Sequence, residues 1–186
     1  MAATAIVVPV PEAEPATELW RRQYTQDGAD GMPPHVTLLY PFVDDSLLVA
    51  GQVRTLRNTL AEFQPFDFVL AKFAEFPASA AIARVLYLAP EPPDPFREMT
   101  AAITAAFPDY PPYGGEFATV VPHLTIAEAD DAPLAEIRAA VARSLPIMAR
   151  AAEAQVMRLA ADGWRARSRI LLGRSEPDYR GAPLFL

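Results

Sequence analysis

The chain contains two histidines, and both stand in the same frame. Pro34-His35-Val36-Thr37 is echoed by Pro122-His123-Leu124-Thr125, and an aliphatic residue, Leu38 or Ile126, closes each copy. On an extended strand alternate side chains share a face, so His35 and Thr37 point one way while Val36 and Leu38 point the other. The same alternation sets His123 and Thr125 against Leu124 and Ile126. Each copy therefore offers an imidazole beside a hydroxyl, with apolar anchors behind. Imidazole titrates near neutrality, so of two facing rings one can accept a proton while the other supplies one. Hydroxyls and backbone N–H groups hydrogen-bond anionic oxygens, and a phosphate held between two such pairs suits them. In-line attack on phosphorus wants a base on one side and an acid on the leaving-group side. Two copies related by a two-fold axis supply that geometry.

An isolated strand histidine is more often packed in place than reactive. Here the only two are both duplicated with threonine, which favours chemistry. A zinc site takes three or four protein ligands, and no carboxylate stands at a ligand spacing beside either histidine, so no metal or other cofactor is expected. Further substrate contacts are suggested by Arg84 and Arg169, which occupy matching places before the last strand of each half and could bind phosphate. Solvated arginines or ion pairs account for them equally well. Tyr113, beside Gly114 and Gly115, is placed to cover the cleft and stack on a base, ahead of Tyr110. Tyr40 is expected in the core with Val36 and Leu38. The alternating Arg165, Arg167 and Arg169 read as a wet strand face.

The elements that must position these groups follow from periodicity. Thr4–Val10 is β-branched and closed by proline, a strand; Glu14–Gln26 is helical, with Leu19, Trp20 and Tyr24 as an apolar stripe. A glycine- and proline-bearing loop delivers the chain to the strand His35–Phe42. Asp45 or Ser46 is expected to cap a helix through about Phe63. Phe66–Phe76 and Ile82–Leu88 read as a strand pair turning at Pro77-Ala78-Ser79. The order then repeats: helix Asp94–Phe107, a turn-rich segment Pro108–Glu116, Phe117–Val121, the second His–Thr strand and helix Ala132–Leu145. Ile147–Leu159 is expected as a strand because it fills the slot held by Phe66–Phe76. Trp164–Leu172 is the final strand, and the Pro-Asp-Tyr-Arg-Gly tail has no clear element. Such a repeat predicts an α+β chain, residues 1–186 as a single domain. Its two pseudo-symmetric lobes each carry an antiparallel sheet with helices, and the two His–Thr faces meet across a central cleft.

Composition limits the partners. With 52% apolar and 21% charged residues the chain can bury a sizeable core. A net charge of −7 argues against an extended nucleic-acid footprint, which needs a basic stripe, and favours a small substrate. The absence of cysteine excludes disulfides, thiolate nucleophiles and cysteine-ligated metals. The run Ala5–Val10 is short, prolyl and without a basic leader, so no signal peptide is expected. No stretch approaches the ~20 apolar residues of a membrane helix. The expectation is a soluble, cytoplasmic protein with no membrane partner.

His35-Val36-Thr37 and His123-Leu124-Thr125, in this order and separation, resemble the paired histidine–aliphatic–threonine/serine motifs of the 2H phosphoesterases, also described as 2′-5′ RNA ligase-like proteins. The resemblance extends over the whole chain. It implies a bilobal α+β fold with the site in the central cleft and no required metal. It also implies cleavage of cyclic phosphates or 2′-linked phosphodiesters in RNA ends and nucleotides. Carried over, His35 and His123 are the acid/base pair and Thr37 and Thr125 bind phosphate. Which histidine plays which part does not follow from the motifs. Attack by water on a 2′,3′-cyclic phosphate with departure of the 3′ oxygen would give a 2′-phosphate. The alternatives are a non-catalytic sensor of nucleotides or RNA ends, and RNA ligation as a side activity.

Overall fold

The β-branched run Thr4–Pro9 forms strand β1, whose two faces both find apolar partners. It lies inside an antiparallel sheet of order β2-β1-β7-β8, with β2 spanning His35–Leu39, β7 Glu153–Ala160 and β8 Gly163–Leu171. A second antiparallel sheet has the order β5-β4-β3-β6, made of β3 (Phe66–Phe76), β4 (Arg84–Glu91), β5 (Leu124–Ala129) and β6 (Ile147–Ala151). These relations come from a computed structural model, which describes residues 4–78, 83–116 and 119–173. Ser79, Ile82, Phe117 and the Pro-Asp-Tyr-Arg-Gly tail lie outside the described residues. The fold is α+β in two lobes, one sheet to each.

The lobes are not the two halves of the chain. The second sheet is contiguous in sequence and is inserted between β2 and β7, while the first is assembled from both ends. The stretch Ile147–Leu159, expected as one strand, is accordingly two: it breaks at Ala152 and its parts, β6 and β7, join different sheets. The first helix of each lobe also crosses over. Helix α1 (Glu14–Tyr24), which follows β1, packs on β5 beside α5 (Asp131–Ala142). Helix α4 (Asp94–Ala106), which follows β4, packs on β2 and against α3 (Ala50–Ala61).

One continuous apolar core joins the lobes. Ile6, Val8 and Val36 from the first sheet meet Leu86, Leu88, Leu124 and Ile126 from the second, with Phe96, Met99 and Ile103 of α4 and Leu134, Ile137 and Val141 of α5. Phe96 lies edge-on to Phe66 and Phe68, with ring centroids 5.1 Å away from each. A smaller cluster, Ala5, Val7, Met32, Met157 and Trp164, covers the other face of the first sheet. That face carries His35.

Three local expectations are corrected. Helix α3 starts at Ala50, where the Gln52 side chain accepts the Val49 N–H at 3.0 Å. Asp45 caps nothing because its carboxylate is taken by Arg167 at 3.0 Å and Arg158 at 3.7 Å. In α1 Leu19 is 69% exposed, and the fully buried positions are Thr17 and Arg21, one turn apart. Tyr40 leaves the core altogether, for a reason that also shapes the site.

Candidate functional site in the cleft

β2 and β5 are the edge strands of their sheets, and they come within 8 Å of each other. Edge position explains the repeated proline: Pro34 and Pro122 have no N–H to offer a neighbour, which an outer strand tolerates. The Pro34 carbonyl still accepts the Val10 N–H at 2.8 Å, which fixes the approach to His35. The pairing registers put the motif side chains on one face. His35 lies opposite Pro9 and Thr37 opposite Val7, while Thr125 lies opposite Tyr87. The anchors Val36, Leu38, Leu124 and Ile126 are buried, as alternation requires.

Both rings are held in the same way. His35 Nδ1 is 2.7 Å from the carbonyl oxygen of Pro33, and His123 Nδ1 is 2.7 Å from that of Val121. A carbonyl can only accept, so each Nδ1 carries the proton and donates it. Each neutral ring therefore keeps its lone pair on Nε2. The surroundings differ. His35 is 8% exposed, and burial followed by the Arg21 guanidinium pushes its pKa down to about 4, against the pull of Asp27 and the Pro33 carbonyl. A charge on His123 also disfavours one on His35, so the two rings feel each other across the cleft. His123 is lowered by burial, with the Val121 carbonyl and Asp27 acting in the opposite direction. It packs against a stacked aromatic pair: Phe76 edge-on at 5.0 Å and Tyr87 at 5.3 Å, the two rings 4.5 Å apart. Burial raises the Tyr87 phenol, which stays a neutral donor.

A bulge occurs at the same place in both motif strands. Ile6 pairs with Leu39 and Val7 with Thr37, so Leu38 is an extra residue; Leu86 pairs with Ala127 and Tyr87 with Thr125, so Ile126 is another. A bulge breaks the strict alternation. After it, Tyr40 and Glu128 turn onto the cleft face instead of the core face. Tyr40 is 37% exposed with its ring edge-on to Trp164 at 6.4 Å, which corrects its expected core position. Glu128 pairs opposite Val85 and is raised by partial burial and by Asp27.

The remaining candidates are distributed unevenly. Arg169 lies in a row across the first sheet, Thr37–Val7–Gln155–Arg169, on the face of His35. With strands about 4.8 Å apart its backbone is roughly 14 Å from Thr37. It is 70% exposed and 3.7 Å from Glu153. Arg84 is on the helix-covered face with Leu86 and Leu88, held by Glu75 at 3.3 Å and Asp131 at 3.1 Å. The structure therefore places Arg84 and Arg169 on different faces of their sheets. The turn Pro112–Gly115 carries Tyr113 in a left-handed conformation (φ 51°), and its N–H donates to the Tyr40 carbonyl at 2.6 Å. That contact ties the turn to the end of β2 opposite His35. Burial raises the Tyr113 phenol.

Sequence reasoning missed Arg21 and Asp27. Asp27 Oδ2 is 4.0 Å from His35 Nε2 and 2.8 Å from Arg21 Nη2. Burial favours the neutral form of Asp27, but Arg21 and then His35 outweigh it and leave the carboxyl below the usual range. An arginine in the buried frame of Thr17 was the available signal.

The comparisons agree with this architecture. The family described as the 2'-5' RNA ligase superfamily matches residues 8–163. Two relatives named "Putative phosphoesterase" are similar to this chain. The one from Bacillus licheniformis is 27% identical over 66% of this chain and 68% of its own length. The one from Geobacillus kaustophilus is 28% identical over 70% of each. Among solved structures, TT0787 of Thermus thermophilus has a TM-score of 0.61 at 17% identity, covering 92% of this chain and 98% of that one. E. coli LigT complexed with 3'-AMP has a TM-score of 0.57 at 16% identity, with the same coverage. At such identities these two structures speak for the shared fold. Paired motif strands at the edges of two sheets, matched along most of its length, place this chain in the 2′-5′ RNA ligase superfamily of 2H phosphoesterases.

Proposed function

We propose that this protein is a phosphodiesterase that opens a 2′,3′-cyclic phosphate, on an RNA end or a nucleotide, or cleaves a related 2′-linked phosphodiester. The observation that carries the reading is the pair of imidazoles. Both are fixed through Nδ1 to a backbone carbonyl, both present Nε2 as the proton-transfer atom, and they stand at the start of β2 and immediately ahead of β5, edge strands that meet. One ring takes a proton from the attacking water as its oxygen bonds to phosphorus. The other, entering the reaction as the imidazolium, gives its Nε2 proton to the leaving oxygen as the P–O bond breaks and returns to the neutral form. For a 2′,3′-cyclic phosphate losing its 3′ oxygen, the product is the 2′-phosphate. Thr37 and Thr125, on the faces of their histidines, hydrogen-bond the non-bridging oxygens, where negative charge builds up. Arg169 and Tyr113 are candidate contacts to the rest of the substrate. Arg84, engaged on the helix side, is the weaker candidate. LigT, which shares the fold, is complexed with 3'-AMP, and a mononucleotide of that kind is the class of ligand proposed for this chain.

The test is incubation with a panel of 2′,3′-cyclic nucleotides, cyclic-phosphate-ended oligoribonucleotides and 2′-5′-linked dinucleotides, with the phosphate position of the product determined. Turnover that is lost in His35→Ala and in His123→Ala supports the reading. Tight binding of the panel without turnover would instead favour a sensor of nucleotides or RNA ends.

A further inference from the structure

The two histidines are equivalent in sequence but not in their supporting cast. Arg21 is 1% exposed and its guanidinium reaches three separate segments. Nη1 donates to the Thr125 carbonyl at 2.6 Å, and Nη2 donates to Asp27 Oδ2 at 2.8 Å and to the Met32 carbonyl at 3.4 Å. Thr125 belongs to the motif of the second lobe. Asp27 stands beside the histidine of the first, and Met32 lies on the loop that delivers it. An outward-facing carbonyl of an edge strand has no strand to bond, and Arg21 supplies the donor.

Asp27 is itself fixed. Its Oδ1 accepts the Gly28 N–H at 2.8 Å, and that same N–H lies 3.0 Å from Thr25 Oγ1, while the Thr25 hydroxyl donates to the Arg21 carbonyl at 2.8 Å. The short helix α2 (Gln26–Ala29) is thereby folded back on the last turn of α1. The fold-back leaves no room for a side chain at residue 28, where an added Cβ would lie 2.5 Å from the Arg21 carbonyl group. This brings Asp27 over Arg21, with Oδ2 facing His35 Nε2 at 4.0 Å. On the other lobe, α4 ends Met99-Thr-Ala-Ala-Ile-Thr-Ala-Ala106, with no charged residue to do the same for β2. His123 has aromatic rings where His35 has a carboxylate.

We propose that Arg21 and Asp27 are positioning residues for His35. Arg21 clamps the two motif strands at a fixed separation, and Asp27 stabilises the imidazolium formed when His35 takes the proton from the nucleophile. His35 is then the base and His123 the acid. This rests on the two-histidine reading above. Four other charged or titratable groups face His35 or its partners: Arg21 from α1, Asp27 from α2, His123 ahead of β5 and Glu128 from β5, which acts on Asp27 and Arg21. Arg21 disfavours a proton on His35 at rest, and Asp27 favours one.

The two residues therefore act on His35 with opposite sign, which a merely structural pair would not do. The experiment follows the His35 ring by NMR titration of the full-length protein without substrate, in Asp27→Asn and in Arg21→Met. Asp27→Asn moves the His35 midpoint to lower pH, and Arg21→Met moves it up toward the ordinary imidazole value. A His35 midpoint that stays put in either folded variant, or that moves the same way in both, overturns the proposal. If Arg21→Met does not fold, Asp27→Asn decides alone. In the activity arm, Asp27→Asn lowers kcat about tenfold or more, a part of the ~10²–10⁴ of a general base, with KM little changed. An unchanged kcat overturns it. Because the titration needs no substrate, failure of the substrate panel and failure of this proposal are read separately.

Discussion

Replacing His35 by asparagine should flatten part of the acid dependence of stability. The amide of asparagine can still donate to the Pro33 carbonyl that His35 Nδ1 reaches at 2.7 Å. What disappears is a titrating group held at about 4 in the folded protein. Its ordinary value is 6.5, so the fold favours the neutral ring. The unfolded chain binds the proton first on acidification. The stabilisation is thus complete above pH 6.5 and is lost as the pH falls from there toward 4. The fall from 6.5 to about 4 is worth roughly 3 kcal/mol, most of which has gone by about pH 4.5. His123 acts in the same direction, and Asp27 acts only below its ordinary 3.8, so neither cancels the effect. The assay is urea unfolding at about pH 7.5 and about pH 4.5, with and without the substitution. The wild type should lose roughly 2–3 kcal/mol more than His35→Asn over that interval. Equal losses in the two proteins would refute a desolvated, neutral His35, and with it the account of how that ring is kept ready as a base.

Other substitutions test the remaining parts of the site. His35→Ala and His123→Ala should each lower turnover by ~10²-fold or more while the far-ultraviolet circular dichroism is unchanged, and a chelator should leave wild-type turnover as it was. Phe76→Ala removes the half-buried ring packed edge-on to His123 and should cost about 1–2 kcal/mol of stability in urea unfolding, with a larger effect on kcat than on KM. Gly28→Ala pushes a Cβ to 2.5 Å from the Arg21 carbonyl group and should destabilise by about 1–3 kcal/mol, measured as a fall in Tm. The kcat/KM profile should have both limbs on the acid side of an ordinary imidazole, since both rings are lowered in the free protein. Limbs on the alkaline side of neutrality would contradict that environment.

The motif strands were legible because alternation needs only three residues, and His35-Val36-Thr37 obeys it. Tyr40 and Glu128 were not, because a bulge at Leu38 or Ile126 leaves no mark in composition: the extra residue is as aliphatic as its neighbours. Phe96, Met99 and Ile103 declared the buried side of α4 by helical spacing. In α1 the same logic pointed to Leu19, whereas the interior side is Thr17 and Arg21, polar residues whose hydrogen bonds only the assembled fold supplies. Arg84 and Arg169 looked equivalent as strand residues, but β8 has its own register shift at Arg167, so the two arginines meet different surroundings. The strand nature of Ile147–Leu159 followed from the repeat; its division between two sheets did not, because a repeat says nothing of which neighbour each copy chooses.

The insertion of one sheet within the other has a consequence for synthesis. During translation residues 66–151, carrying every strand of the second sheet, emerge as an unbroken block that can pair as it leaves the ribosome. β1, although made before that block, must wait for β7 before its second edge is covered. Closure over so long a span is slow relative to local pairing, which leaves an apolar N-terminal strand open to wrong partners in the interval. Supplying residues 153–171 ahead of β1 in a circularly permuted gene would remove that delay, and a faster, cleaner recovery of the permuted chain from denaturant would show the waiting strand to be the slow step.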